Sequence, residues 1–216
     1  MDPEDRRDRL AADVHAGFPE RTICILVMNN PRQLLPDRRG VASLELALTA
    51  PVMLIMFFGV VEVTQLIRVS NKLTLASQAI ENIVAGQGTA TVLSVTNAYQ
   101  AGQLVMAPFN SATTPLVATI ANVTFDGSGN ASQLTWQVDL GGAAAMPVAT
   151  ACTLASGLGL ANDSVIVVQV GYSYSAVTHY ILPSSYALSH VAYGRPRNFA
   201  TIAGVSSPLT APTGNC

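Results

Sequence analysis

The dominant feature of the hydrophobic pattern is an apolar run that begins just after Gly40. Residues 46–61 contain no charge, and extension to Ile67 gives a segment that could cross a bilayer core of about 30 Å, which needs roughly 20 helical residues. Beyond this run, apolar residues recur every three or four positions, as on one face of an amphipathic helix. We therefore predict one helix from Val41 to about residue 84, ended by glycines. The predicted apolar face consists of Leu66, Val69, Leu73, Ala76, Ile80 and Ile83.

A second, shorter helix is predicted over residues 91–107. Its apolar positions recur loosely at Val92, Val95, Tyr99 and Leu104. Pro108 and the polar run that follows it indicate the end of this helix and a loop.

From residue 117 onwards, apolar positions alternate with a period of two, which indicates strands. Residues 126–130, Asp-Gly-Ser-Gly-Asn, are typical of a turn, so we predict a hairpin with one face against a helix and one in water. Further strands are predicted over 164–175 and 188–194. The fold class is therefore α+β, a long N-terminal helix with a small antiparallel sheet. The shared faces of the hairpin are Val117, Ala121, Val123 and Phe125 on one strand and Leu134, Trp136, Val138 and Leu140 on the other.

The distribution of charge divides the chain at Gly40. Residues 1–40 hold fourteen charged residues, seven of each sign, whereas the other 176 residues hold ten. Charged residues make up 11% of the whole chain, against a usual share of about 25%, which excludes disordered and nucleic-acid-binding proteins that depend on bulk charge. We predict three parts: a leader over 1–40, a transmembrane and spine helix over 41–85, and an α+β head over 86–216.

Basic residues on both sides of the apolar run indicate its orientation. Arg32, Arg38 and Arg39 precede it, whereas Arg68 and Lys72 follow it. The preceding cluster is the stronger one, so the positive-inside rule places the N-terminus in the cytoplasm and the head outside.

The predicted leader contains two candidate start sites. Met28 begins a thirteen-residue stretch that ends at Gly40 and carries a net charge of +2, which is typical of a compact basic leader. Either Met28 is the true start and residues 1–27 are an over-extended translation of the gene, or those residues form a genuine cytoplasmic tail.

Glu45 separates three interpretations of the apolar run. A cleaved secretory signal peptide fits poorly, because Glu45 interrupts the run and no A-x-A site follows it. An ordinary signal anchor requires Glu45 to lie at the membrane edge and reach water. Cleavage after Gly40, as in a prepilin-type signal, makes Glu45 the fifth residue. There it could pair with the α-amine of a neighbouring subunit. This pairing would offset the cost of a carboxylate in a membrane, which is roughly 2.5–3.5 kcal/mol.

Residues 38–51, Arg-Arg-Gly-Val-Ala-Ser-Leu-Glu-Leu-Ala-Leu-Thr-Ala-Pro, followed by apolar residues, resemble the start of the TadE/TadG-like pseudopilins of the Flp (Tad, type IVc) pilus system. The family commonly has an aromatic residue where this chain has Leu46. TadG-like members often carry a large extra domain for which this chain is too short, so the TadE-like form is the nearer match. Less specific similarity continues at Trp136, 170–174 and 193–197.

The resemblance implies a structural, non-catalytic minor pilin or pseudopilin that takes part in assembly of a Tad-type pilus, with a pilin-like fold. It implies cleavage between Gly40 and Val41 by a prepilin peptidase, and Glu45 as the glutamate needed for processing or assembly. The implied partners are the membrane, the peptidase, other pilins and the Tad assembly platform. The implied location is the bacterial inner membrane, with a periplasmic head, and then the pilus or cell surface.

Two alternatives remain open on the sequence. One is an uncleaved, single-pass, membrane-anchored periplasmic binding protein. The other is a pseudopilin of a general secretion system, although the residue after the cleaved glycine is usually Phe in such proteins and Val41 argues against it.

Two of the three cysteines fall in the predicted head. Removal of the leader removes Cys24 and leaves Cys152 and Cys216 as an even pair outside the membrane, which indicates a disulfide. That bond would tie the tail 206–216 to the loop after the second strand. Two free thiols are the alternative.

No motif for catalysis or metal binding is present. The chain has no HExxH, CxxC, GxSxG or Walker sequence, and its histidines, His15, His179 and His190, are scattered. We therefore expect no enzyme, cofactor, metal, nucleic acid or small-molecule substrate. Arg195 and Arg197 are interpreted as a solvated pair, with contact to a partner subunit as the alternative.

Overall fold

The computed structural model describes residues 39–110, 114–176, 184–204 and 213–216. The chain divides into two compact units, Met1–Thr49 and Ala50–Cys216. In the first unit the described residues all belong to one helix. Nearly all of the predicted leader lies outside the described residues, as do the predictions for Met28, Cys24, His15 and His179.

Helix α1 (Arg39–Ala85) is 47 residues long and confirms the prediction of one long helix. Four residues of the predicted face, Val69, Leu73, Ala76 and Ile80, are almost fully buried. The prediction is wrong at the last position, where Ile83 is 38% exposed and Val84 is buried instead. A helix with 3.6 residues per turn drifts away from a strict alternation of steps of three and four, which averages 3.5, so the buried stripe moves by one residue.

Helix α2 (Val92–Val105) begins with a capping box. The Thr91 hydroxyl accepts from the amide of Ser94 at 3.1 Å, and the Ser94 hydroxyl accepts from the amide of Thr91 at 2.9 Å. Two amides that the first turn would leave unpaired are thereby satisfied. The predicted second helix is therefore present, with an N-terminus set by local side chains.

The buried face of α2 differs from the predicted one. Val95 and Tyr99 are buried as expected, but Val92 and Leu104 are 40% and 77% exposed. Gly102 is buried instead, and a Cβ at that position would lie 2.6 Å from Cδ1 of Ile80. The buried face is thus centred on a glycine, which lets α2 approach α1 closely. The prediction missed this face because a search for periodic apolar residues does not count glycine as apolar.

The strands among the described residues are β1 (Thr89–Ala90), β2 (Val117–Phe125), β3 (Ala131–Leu140), β4 (Ser164–Tyr174), β5 (Tyr186–Gly194), β6 (Ala203–Gly204) and β7 (Gly214–Asn215). Five of them form the main antiparallel sheet in the order β5-β4-β2-β3-β7, which confirms the α+β class. A separate two-stranded parallel pair joins β1 to β6.

The prediction that one face of the hairpin lies in water is wrong. One face packs with α1 and α2, and the other packs with an unpredicted helix, α3 (Val148–Ala155). Residues of both parities on β2 are buried: Ile120 belongs to the first cluster, whereas Val123 and Phe125 belong to the second. A sheet is buried on both faces when a second segment of the chain packs on the face that would otherwise lie in water. The alternation of residues along one strand does not indicate such a segment.

A bulge also separates two residues that were predicted to share a face. The register between β2 and β3 shifts where Asn122 pairs with Trp136 and Val123 pairs with Leu134. Leu134 therefore packs in the cluster with α3, whereas Trp136 packs in the cluster with α1 and α2. One extra residue on a strand moves the side chains beyond it to the opposite face.

The predicted turn between β2 and β3 is present and is held by Asp126. Its carboxylate accepts from the backbone amides of Ser128, at 2.8 Å, and Asn130, at 2.9 Å. These backbone hydrogen bonds lower the pKa of Asp126, chiefly the one from Asn130.

We expect Asp126→Asn to reduce stability at neutral pH but much less in acid. Because the folded-state pKa is depressed, the charge stabilises the turn above the ordinary aspartate pKa of about 4, and this contribution is lost as pH falls through the lower folded value. Denaturant unfolding of both proteins at a series of pH values measures the difference. A difference that stays constant from neutral pH to below that range would contradict the expectation.

Candidate functional site

The predicted cleavage position lies in the first turn of α1. Gly40 is exposed, and its carbonyl accepts from the Ser43 hydroxyl at 2.8 Å. A Cβ built on Gly40 would meet no heavy atom within 4 Å. Glycine in a helix costs about 0.5–1 kcal/mol relative to alanine. The described residues around Gly40 leave room for a side chain and so do not require a glycine.

Glu45 lies one turn further along the same helix, between two exposed leucines. Leu44 is 72% exposed and Leu46 is 63% exposed. The Thr49 hydroxyl donates to the backbone carbonyl of Glu45 at 2.9 Å, not to its carboxylate. Within residues 39–49, the Glu45 carboxylate has no hydrogen-bond or ion-pair partner. The helix thus presents an exposed acid, without a partner of its own, among exposed apolar side chains.

The apolar part of α1 is the one helix among the described residues that is long and apolar enough to cross a membrane, by length and composition. Only 11% of its most apolar stretch of 18 residues is buried inside the protein. Pro51 lies inside this helix, where it has no amide hydrogen to donate to the carbonyl one turn before it. Such prolines are tolerated in membrane helices.

Cys152 and Cys216 are joined by a disulfide, with the two sulfurs 2.04 Å apart and the Cα atoms 5.8 Å apart. Cys152 lies on α3, not in a loop as the sequence predicted. Cys216 follows β7, and its amide donates to the carbonyl of Ser132 at 2.8 Å. The bond therefore fixes the segment of β7 and Cys216 against the edge of the sheet at β3 and against α3.

Arg195 and Arg197 are both exposed, as the interpretation as a solvated pair expects, but each also has a partner within the chain. Arg195 forms an ion pair with Asp163, and Arg197 donates to the side-chain oxygen of Asn82. The Arg197 amide also donates to the carbonyl of Ala85 at 3.0 Å. Arg195 thus ties the segment after β5 to Asp163 of the head, and Arg197 ties it to the end of α1. Their partners are distant in sequence, so no local signal could have indicated them.

In the part of the chain that the structure describes, no group of three or more histidine, cysteine, aspartate or glutamate side chains is placed to hold a metal ion. His190 lies on β5 and lines an open polar groove with Gln78, Glu81 and Asn82 of α1.

Sequence reasoning missed α3 altogether. Pro147 directly precedes this helix, and Thr150 and Ala151 donate to its carbonyl. A proline just before an alanine-rich stretch was the available signal. Eight residues are too short for a clear helical period.

A comparison with family models matches residues 40–80 to the family described as TadE-like protein. The matched segment contains Gly40, Glu45, Pro51 and most of the amphipathic stripe of α1. Comparisons with curated proteins and with solved structures each give no match. The resemblance noted over the N-terminal residues is therefore confirmed, and the chain carries a segment of the TadE-like family of the Tad pilus system over residues 40–80.

Proposed function

We propose that this protein is a minor pilin or pseudopilin that takes part in assembly of a Tad-type pilus, as a structural subunit without catalytic activity. The TadE-like segment supports an association with the Tad pilus system. The observation that carries the finer proposal is Glu45, an exposed carboxylate in the apolar, exposed first part of α1, for which residues 39–49 offer no hydrogen-bond or ion-pair partner.

In this proposal α1 first anchors the protein in the bacterial inner membrane. At 1.5 Å per residue, residues 41–61 span about 32 Å, which matches the hydrocarbon core. Arg38 and Arg39 precede the span and favour a cytoplasmic N-terminus. The head then lies in the periplasm before the subunit enters a pilus or reaches the cell surface.

A prepilin peptidase then cleaves the chain between Gly40 and Val41. Packing among the described residues does not explain the glycine at position 40, because none of their atoms lies within 4 Å of a Cβ built there. A protease that must bring its catalytic groups close to the backbone gives a reason for a residue without a side chain.

Glu45 acts after cleavage, when Val41 carries a free α-amine. A carboxylate within an apolar assembly costs about 2.5–3.5 kcal/mol unless it is paired. The amine of a neighbouring subunit supplies the opposite charge, so each pair neutralises two groups that are unfavourable alone. Other pilins and the Tad assembly platform are the partners in this step.

N-terminal sequencing of the protein recovered from membranes tests the proposal. In cells with a functional prepilin peptidase we expect a mature N-terminus at Val41, and in cells without it an uncleaved chain. An intact leader in both strains would contradict the pilin proposal and leave an uncleaved membrane anchor.

Glu45→Gln tests the assembly step separately. We expect the variant to remain in membranes but to be recovered with other pilins at least about tenfold less, because one charge of each pair is lost. Thr49→Val is the matched control, since Thr49 lies on the same exposed helix and its hydroxyl contacts only backbone carbonyls. Equal recovery of Glu45→Gln and the unmodified protein would contradict the assigned role.

A further inference from the structure

A groove lies beside α1 just beyond its apolar part. It has a volume of about 520 Å³, within the range of small-ligand sites. One wall consists of polar and basic residues of α1, and the other consists of two residues in the segment that follows α2, beyond Met106 and Ala107. The lining residues are Gln65, Arg68, Asn71, Lys72, Pro108 and Phe109.

The two cations in this groove have different surroundings. Lys72 donates to the carbonyls of Val105 at 3.0 Å and Ala107 at 2.7 Å, so its ammonium caps the C-terminal end of α2. Arg68 is exposed, and the described residues offer it no hydrogen-bond or ion-pair partner. The nearest acid on the same helix, Glu62, is only 3% exposed. The groove therefore holds a guanidinium that is available to an anion.

The position of Arg68 along α1 indicates the source of that anion. If residues 41–61 span the hydrocarbon core, the Cα of Arg68 lies about 10 Å beyond its edge. Side chains of a helix lean towards its N-terminus, which here is the direction of the membrane. Headgroups occupy roughly the first 5–8 Å outside the core, so the guanidinium reaches their layer.

The other residues of the groove have side chains suited to contacts with lipid headgroups. Gln65 and Asn71 can donate hydrogen bonds to phosphate oxygens, and Arg68 can donate two in parallel. Phe109 and Pro108 add apolar surface beside these donors, and aromatic residues are enriched at the membrane interface.

We propose that this groove binds the phosphate of an anionic phospholipid in the outer leaflet of the inner membrane, with Arg68 as the principal contact. The proposal rests on the membrane anchoring put forward above. It gives the head a defined height and rotation on the bilayer before α1 is extracted, because the contacts come both from α1 and from the residues after α2.

Spin-labelled lipids test this proposal on the full chain reconstituted in phosphatidylcholine vesicles. The protein-associated fraction of spin-labelled phosphatidylglycerol is compared with that of spin-labelled phosphatidylcholine. We expect a preference of about fivefold for phosphatidylglycerol, which Arg68→Gln reduces towards one. Arg68→Lys keeps a charge and is expected to retain part of the preference.

Arg197→Gln is the matched control, because it removes one exposed positive charge near the opposite end of the described spine, beside Asn82. We expect it to retain the preference, and we expect the unfolding temperature of Arg68→Gln to be unchanged.

An equal lipid preference for Arg68→Gln and the unmodified chain would overturn the proposal. Loss of the preference when inorganic phosphate is added would also overturn it, in favour of a site for free phosphate. A chain that does not enter the vesicles would contradict the anchoring itself.

Discussion

Replacing both Cys152 and Cys216 with serine is expected to lower the free energy of unfolding of the protein by about 4 kcal/mol. The bond closes a loop with a sequence separation of 64 residues, and the chain-entropy model gives this value for such a loop. For a domain of this size the loss corresponds to a fall of about 10 °C in the unfolding temperature. Thermal unfolding in oxidising buffer measures it.

The structure also predicts which part of the protein loses stability first when the disulfide is removed. β7 pairs with Gln133 and Leu134 of β3, and the Cys216 amide adds one hydrogen bond to Ser132, so we expect this short strand to depend on the disulfide to stay on the sheet. Amide exchange at Gln133 and Leu134 should therefore rise in the double variant more than exchange in β4. A reductant should destabilise the unmodified protein to the level of the variant and leave the variant unchanged. Unfolding temperatures within a degree or two of each other, in oxidising buffer, would contradict the prediction.

Gly141→Ala is expected to destabilise the protein by about 3 kcal/mol. Gly141 follows β3 with a φ of 68°, which disfavours any side chain by about 1 kcal/mol or more. A Cβ there would also collide with the carbonyl oxygen of Leu116 and the hydroxyl of Tyr99. These two groups form a hydrogen bond of 2.5 Å, and burial raises the pKa of Tyr99, so the hydroxyl remains a donor. The methyl group therefore strains the backbone and disrupts a buried hydrogen bond.

The adjacent glycine provides a matched control for this prediction. Gly142 has a similar φ of 82°, but a Cβ there would meet nothing within 4 Å. Gly142→Ala should therefore cost only the backbone term, about 1 kcal/mol. Combining Gly141→Ala with Tyr99→Phe should cost less than the sum of the two, since the colliding hydroxyl is gone. Equal losses for Gly141→Ala and Gly142→Ala in denaturant unfolding would contradict the role of the Tyr99 contact.

The N-terminal segment could be identified from the sequence because its signals are local. The break in charge at Gly40, the apolar run and Glu45 all lie within about 30 consecutive residues, and each is a property of one helix. The family match over residues 40–80 covers the same segment. The long helix, the hairpin turn at Asp126 and the four longer strands followed from periodicity and turn chemistry in the same way.

The surroundings of these elements were decided by tertiary structure. Periodicity indicates that a face is apolar, but it does not say which segment covers it, so α3 and the second buried face of the sheet were missed. Leu134 and Trp136 both lie on β3, and the bulge between them arises from the pairing of β3 with β2. The alternation of residues along β3 alone does not indicate that bulge.

The sequence by itself determined the long apolar helix, its unusual acid and the fold class, because hydrophobic periodicity and charge act over a few turns of one element. Only the tertiary structure decided which groups meet: Arg195 with Asp163, Gly141 with the Tyr99 contact, and Arg68 with the residues after α2. Those contacts join residues that are distant in the chain. Their energy depends on distance and burial in the folded state, which no pattern along the sequence specifies.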